Sequence, residues 1–170
     1  MYTFRTATID DFNAIQALLM QHQLPIDGLA QHIQHFEVVM ANNQIIGVAG
    51  VEQYFPFALI RSVAIDAQYQ HQQLGKQLIE VLLSKLNDAG FTTYYLLTET
   101  APTFFSKLNF HIIQRTEVPL VIQQTQEFAT ICPAIRNEIS LIQSYWRIEY
   151  RLSTIRPLIW AFESDIKEMS

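Results

Sequence analysis

Arg61-Ser62-Val63-Ala64-Ile65-Asp66-Ala67-Gln68-Tyr69-Gln70-His71-Gln72-Gln73-Leu74-Gly75-Lys76 carries a β-branched run directly into the start of a helix. The run Ala58 to Asp66 is rich in Leu, Ile and Val and reads as a strand. Leu74, Leu78, Leu82 and Leu86 then recur every four residues, the spacing of an amphipathic helix, and Gly90 ends it. A strand, a short loop and a helix in succession aim the first N–H groups of the helix at the loop. Those groups have no intrahelical partner and carry positive dipole character, so the turn Gln70 to Lys76 is a candidate pyrophosphate cradle. An ordinary strand-to-helix connection exposes the same groups, and the turn alone does not separate the two.

Working outward, Tyr2 to Thr8 reads as a first strand, and Asp10 or Asp11 caps a helix bearing Phe12, Ile15, Leu18 and Leu19. Pro25 to Gly28 breaks it, and a short helix follows around Leu29 to Ile33. Phe36 to Ala41 and Gln44 to Gln53 flank Asn42-Asn43, a pair that tolerates positive φ and marks a tight hairpin. Beyond the long helix come a strand over Thr92 to Thr98, a short helix over Ala101 to Leu108 and a strand over Phe110 to Ile113. Helical patterns are expected from Pro119 to the end. Strands interleaved with helices in this order predict an α/β domain, a mixed sheet with helices on it.

Composition narrows the class. With 49% hydrophobic and 16% charged residues over 170 positions, the chain suits one globular domain rather than a disordered segment. A net charge of −5 with scattered Lys and Arg lacks the cationic face that nucleic-acid binding requires. Cys132 is the only cysteine, so no intrachain disulfide forms, and the expected setting is the reducing cytoplasm. The start, Met1 to Arg5, alternates like a strand and lacks the apolar core of a signal peptide. The longest apolar run, Ile45 to Val51, is far too short to span a bilayer, and no membrane association is expected.

Gln70-His71-Gln72-Gln73-Leu74-Gly75, placed after Val63 to Asp66, resembles the phosphate-binding signature of the GNAT superfamily of N-acetyltransferases. That signature is Gln or Arg, two residues, Gly or Ala, one residue, Gly or Ala. A second family element matches Tyr95 to Thr98 followed by Phe104-Phe105-Ser106-Lys107-Leu108-Asn109-Phe110. Within the superfamily the chain is most similar to the ArsN2-type group associated with arsenic-resistance operons. Gly50 to Tyr54 with Ala58 to Ser62, Leu96 to Thr98, and Arg115 through Glu127-Phe128 to Cys132-Pro133 carry that closer likeness.

The resemblance implies a GNAT-like mixed β-sheet flanked by helices over 1–136. It also implies acetyl-CoA as co-substrate, held between the Leu59–Asp66 and Thr92–Thr98 strands, with no metal. Main-chain groups of Val63 and Ile65 are expected on the pantetheine arm. Gln70, His71, Gln72, Gln73, Leu74, Gly75 and Lys76 are expected around the pyrophosphate. The acceptor implied is a primary amine of a small molecule. Two positions depart from the family pattern: Gln73 stands where a small residue is usual, and Phe105 where many members carry the tyrosine that protonates the leaving thiolate. A glycine at Gln73 is expected to cost backbone entropy at the helix start.

Glu52 is the candidate general base, because attack on a thioester requires a neutral amine and a carboxylate can take its proton. The other reading is a solvated glutamate at a strand end. Arg61 is a candidate for bidentate binding of an acceptor carboxylate, as an amino-acid-like acceptor would need, or else a structural ion pair. Tyr54 lines the same pocket or fills space in its loop. His32 and His35 lack partners at metal spacing and are expected at the surface, and Ser62 lacks the Gly-flanked elbow of a hydrolase nucleophile.

Leu141, Tyr145, Ile148, Leu152, Ile155, Ile159, Phe162, Ile166 and Met169 recur at spacings of four and three, with Pro157 as a kink. The stripe predicts a helical C-terminal extension over 137–170. Either the whole extension packs on its own domain, or one face covers the domain and the other meets a second subunit in a two-fold homodimer. A catalytically silent acyl-CoA-binding or protein-interaction module is the rival to the enzyme reading.

Overall fold

The computed structural model describes residues 1–98, 101–126, 128 and 144–149. Among these residues seven strands form one sheet: β1 (Thr3–Thr6), β2 (Glu37–Ala41), β3 (Gln44–Tyr54), β4 (Phe57–Ile65), β5 (Thr93–Thr98), β6 (His111–Ile113) and β7 (Ser144–Glu149). Their spatial order is β1-β2-β3-β4-β5-β7-β6. Among the described residues only β4 and β5 run parallel, and the crossover between them contains α3 (Leu74–Asp88). Further α-helices are α1 (Phe12–Gln21), α2 (Leu29–His32), α4 (Pro102–Ser106) and α5 (Leu120–Gln123). The fold is the expected mixed α/β sheet flanked by helices.

Local chemistry accounts for the main elements. Asn42 and Asn43 both take positive φ (49° and 61°) and close the β2–β3 hairpin, as their side chains permit. Gly90, also at positive φ, ends α3. The Phe91 N–H returns to the Leu86 carbonyl and the Gly90 N–H to Asn87. The start of α1 differs from expectation. A 3-10 turn over Ile9–Asp11 precedes the helix, and the Asp11 carboxylate accepts from the Thr8 N–H rather than capping α1. Arg5 also grips Asp11 through both guanidinium nitrogens, at 2.7 and 2.8 Å. Those bonds, with the Thr8 contact, hold the Asp11 carboxyl well below its ordinary range despite desolvation.

The alternation of β4 divides the core. Ile60 joins the cluster beneath α3, with Leu74, Leu78, Leu82 and Phe105, while Leu59 faces the opposite side with Tyr95, Ile122 and Phe128. On that second face α1 and α2 cover Phe36, Val38 and Val48. Gly50 is required there, because a Cβ would lie 2.3 Å from the buried Phe36 ring.

The expected C-terminal helix is overturned where it is described. Ser144–Glu149 is a strand that enters the sheet between β5 and β6, with Tyr145 opposite Leu97 and Trp146 opposite Leu96. Strand pairing on both sides supplies ladder bonds to β5 and β6, a gain that periodicity along one segment does not register. The other positions of the stripe, and Cys132, lie outside the described residues.

Candidate active site

The cleft begins as a defect in β4. Between the pairs Val48↔Ala64 and Gly50↔Arg61, Ala49 stands opposite two residues, Ser62 and Val63. Ser62 takes φ 54° to make this bulge. Pairing with the parallel β5 runs from Phe57↔Thr93 to Ile60↔Leu96 and extends no further. The bulge bends β4 away from β5 and opens a cleft of about 980 Å³ between the strand ends.

Main-chain groups of β4 face the opening. The Asp66 N–H bonds the Ile46 carbonyl of β3 at 2.8 Å, so strand alternation turns the Val63 and Ile65 groups to the other edge. The Ile65 carbonyl already accepts from the Gln70 amide at 3.0 Å, which fastens the loop to the strand. The first bond within α3 runs from the Gln77 N–H to the Gln73 carbonyl. Leu74, Gly75 and Lys76 therefore present N–H groups without intrahelical partners at the floor of the cleft. His71 and Gln73, also at the cleft, both take left-handed backbone (φ 64° and 60°). Gln72 is not part of the lining; its side chain accepts from the Tyr2 hydroxyl. Lys76 sits half-exposed 3.7 Å from Glu80.

Glu52 and Arg61 are not solvated strand-end groups. Both are buried, at 4% and 6% exposure. Gly50 opposes Arg61, so Glu52, two residues further along β3, shares its face, and the two side chains meet diagonally in an ion pair. The second Glu52 oxygen accepts from the Tyr54 hydroxyl at 2.7 Å, and of these three side chains only Arg61 lines the cleft; Tyr54 packs beside Leu59 and Tyr95 instead of lining it as expected. Arg61 Nη2 donates to the Asp27 carbonyl at 2.8 Å, in the loop between α1 and α2. The ion-pair reading of Arg61 thus describes its geometry, and its fork is already engaged by protein acceptors.

Phe105 is buried, with its ring edge-on to Phe104 and Phe110 at centroid distances of 4.9 and 5.7 Å. It supplies cleft wall and no proton. His32 and His35 are half-buried rather than fully exposed, and burial followed by the charge of His32 lowers the His35 pKa. Among the described residues no cluster of three metal-ligating side chains occurs, and no helix is long and apolar enough to cross a membrane.

Several contributors escaped the sequence reading. Leu24 and Pro25 reach the cleft from the α1–α2 loop, and Tyr69, Thr98 and Phe104 complete its walls. Pro25 signalled a loop, but only the folded sheet shows where that loop lies. Ser62 bore no signal, since serine is not a residue that favours positive φ.

Residues 32–112 match the acetyltransferase (GNAT) domain model. An uncharacterized N-acetyltransferase of Chlorobaculum tepidum is 26% identical over 122 residues, 70% of this chain and 76% of that protein. Among solved structures, N-acetylglutamate synthase of Neisseria gonorrhoeae, complexed with coenzyme A and N-acetyl-glutamate, superposes with a TM-score of 0.74 at 16% identity. That match covers 89% of this chain but only 36% of the synthase, so this chain spans about a third of that relative. Rv2747 of Mycobacterium tuberculosis, in complex with CoA, gives 0.70 at 18% identity, covering 88% of this chain and 99% of its own. The ribosomal-protein-S18-alanine N-acetyltransferase of Escherichia coli gives 0.64 at 17%, covering 91% and 99%. These likenesses establish the fold.

Proposed function

We propose that this chain, whose residues 32–112 match the acetyltransferase (GNAT) domain model, transfers the acetyl group of acetyl-CoA to a primary amine of a small molecule by direct attack. The observation that carries this reading is the Ser62 bulge, which opens β4 from β5 directly beside the unpaired N–H groups of α3. The outward main chain at Val63 and Ile65 is suited to a pantetheine amide arm. The first turn of α3, with His71, Gln73 and Lys76 at its rim, suits a pyrophosphate.

A primary amine is mostly protonated near neutral pH, and its lone pair becomes available only when a base removes a proton. Glu52 is that base, reached from the cleft through a water. The water accepts the ammonium proton as one of its own passes to the Glu52 carboxylate, which the Tyr54 hydroxyl holds at 2.7 Å. The amine nitrogen then forms the new N–C bond, the C–S bond breaks, and the second proton shed by the acylated nitrogen passes through water to the departing thiolate. Positioning contributes the rest of the rate, because cofactor binding alone lowers only KM.

The acceptor reading of Arg61 has less support, since Glu52 and Asp27 already engage it. Kinship with the ArsN2-type group rests on the sequence segments alone, and a cytoplasmic setting on the single cysteine.

Thiol release from acetyl-CoA against a panel of primary amines tests the proposal. Turnover is expected for the wild type, and Glu52→Gln is expected to lose about 10²- to 10⁴-fold in kcat with acetyl-CoA affinity unchanged. Acetyl-CoA binding without turnover on any amine would replace the enzyme with a binding module.

A further inference from the structure

Arg61 links β3, the β4 bulge and the α1–α2 loop. Its Nη1 pairs with Glu52 on β3, its Nε reaches the Ser62 hydroxyl of the bulge at 3.4 Å, and its Nη2 holds the Asp27 carbonyl at 2.8 Å. The loop it holds brings Leu24 and Pro25 into the cleft wall. The adjoining Gly28 takes φ 72°, and a Cβ there would stand 3.6 Å from Arg61 Nη1, so loop and guanidinium pack closely. A buried guanidinium with acceptors at both ends of its fork fixes their separation, which a point-charge ammonium does not.

We infer that Arg61 is a positioning residue, not a substrate ligand: it clamps the α1–α2 loop to the Glu52 carboxylate so that the acceptor amine's binding wall and its base are held as one unit. The inference rests on the proposed acetyl transfer and concerns how the acceptor, not acetyl-CoA, is placed. The Arg61 fork is occupied, so an acceptor carboxylate gains no special recognition from it. Any loss on disturbing Arg61 falls equally on acceptors with and without a carboxylate.

The test compares wild type and Arg61→Lys on two amines that the wild type acetylates, one bearing a carboxylate and one lacking it. Lysine keeps the charge for Glu52 but cannot also hold Asp27 in the fork geometry. The expected result is an amine KM raised about 10-fold or more for both acceptors, a smaller change in kcat, and acetyl-CoA affinity within about 2-fold of wild type. A loss confined to the carboxylate acceptor would make Arg61 a substrate ligand, and an unchanged KM would remove the clamp; either overturns the inference. Gly28→Ala approaches from the other side, because it strains the left-handed loop while leaving Arg61 and Glu52 intact. It should raise the amine KM in the same way without affecting acetyl-CoA, and a wild-type KM in this variant also overturns the inference. Wild-type turnover, measured first, tests the acetyl-transfer reading separately.

Discussion

Replacing Gln73 with glycine should make the protein more stable, the reverse of what its position at a helix start suggests. Gln73 is the N-cap of α3, holds φ 60° and ψ 7°, and makes no capping bond with its side chain. A non-glycine residue in this left-handed conformation carries about 1–2 kcal/mol of strain. Glycine removes that strain and adds about 0.5–1 kcal/mol of unfolded-state freedom. The balance favours the variant by roughly 0.5–1 kcal/mol, which for a chain of this length corresponds to about 1–4 °C in Tm. The same change clears a side chain from the cleft rim, so acetyl-CoA should bind more tightly. Stability and affinity then rise together. The assay is a melting curve without ligand, which excludes stabilisation by bound ligand, followed by calorimetric titration of acetyl-CoA. A lower ligand-free Tm would refute the backbone argument, and weaker binding would make the Gln73 side chain a cofactor contact.

Two further changes test the frame around the site. Gly50→Ala should destabilise by about 1–3 kcal/mol, because the added methyl meets a buried Phe36 ring; an unchanged denaturation midpoint would contradict that packing. Asp11, whose folded pKa lies below its unfolded value of 3.8, lends stability that is complete above that value and disappears as pH falls through the folded pKa. Asp11→Asn should therefore lower Tm at pH 7 and converge on the wild type in acid, and an equal gap at both pH values would remove the Arg5 pairing as its cause.

The sequence carries the frame of this fold in local chemistry. Asn42-Asn43, the Leu74-to-Leu86 spacing and Gly90 each act within a few residues, and each feature appears where the local rule places it. The site is harder to read because it depends on register. Glu52 and Arg61 are nine residues apart and meet only because β3 and β4 pair with Gly50 opposite Arg61, one step before the bulge. Ser62 gives no glycine signal for its positive φ, so the opening of the cleft is invisible in the chain. Ser144–Glu149 fits a helical stripe in isolation yet pairs with two strands, a competition that tertiary partners decide.

The most direct test of the acetyl-CoA site is amide hydrogen exchange on the full chain, with and without saturating acetyl-CoA. Protection is predicted at Val63 and Ile65 and at Leu74 to Lys76, the main-chain groups that the Ser62 bulge and the first turn of α3 leave facing the cleft. Protection absent from both segments at saturation, or confined to surfaces away from the β4–β5 cleft, would contradict the account.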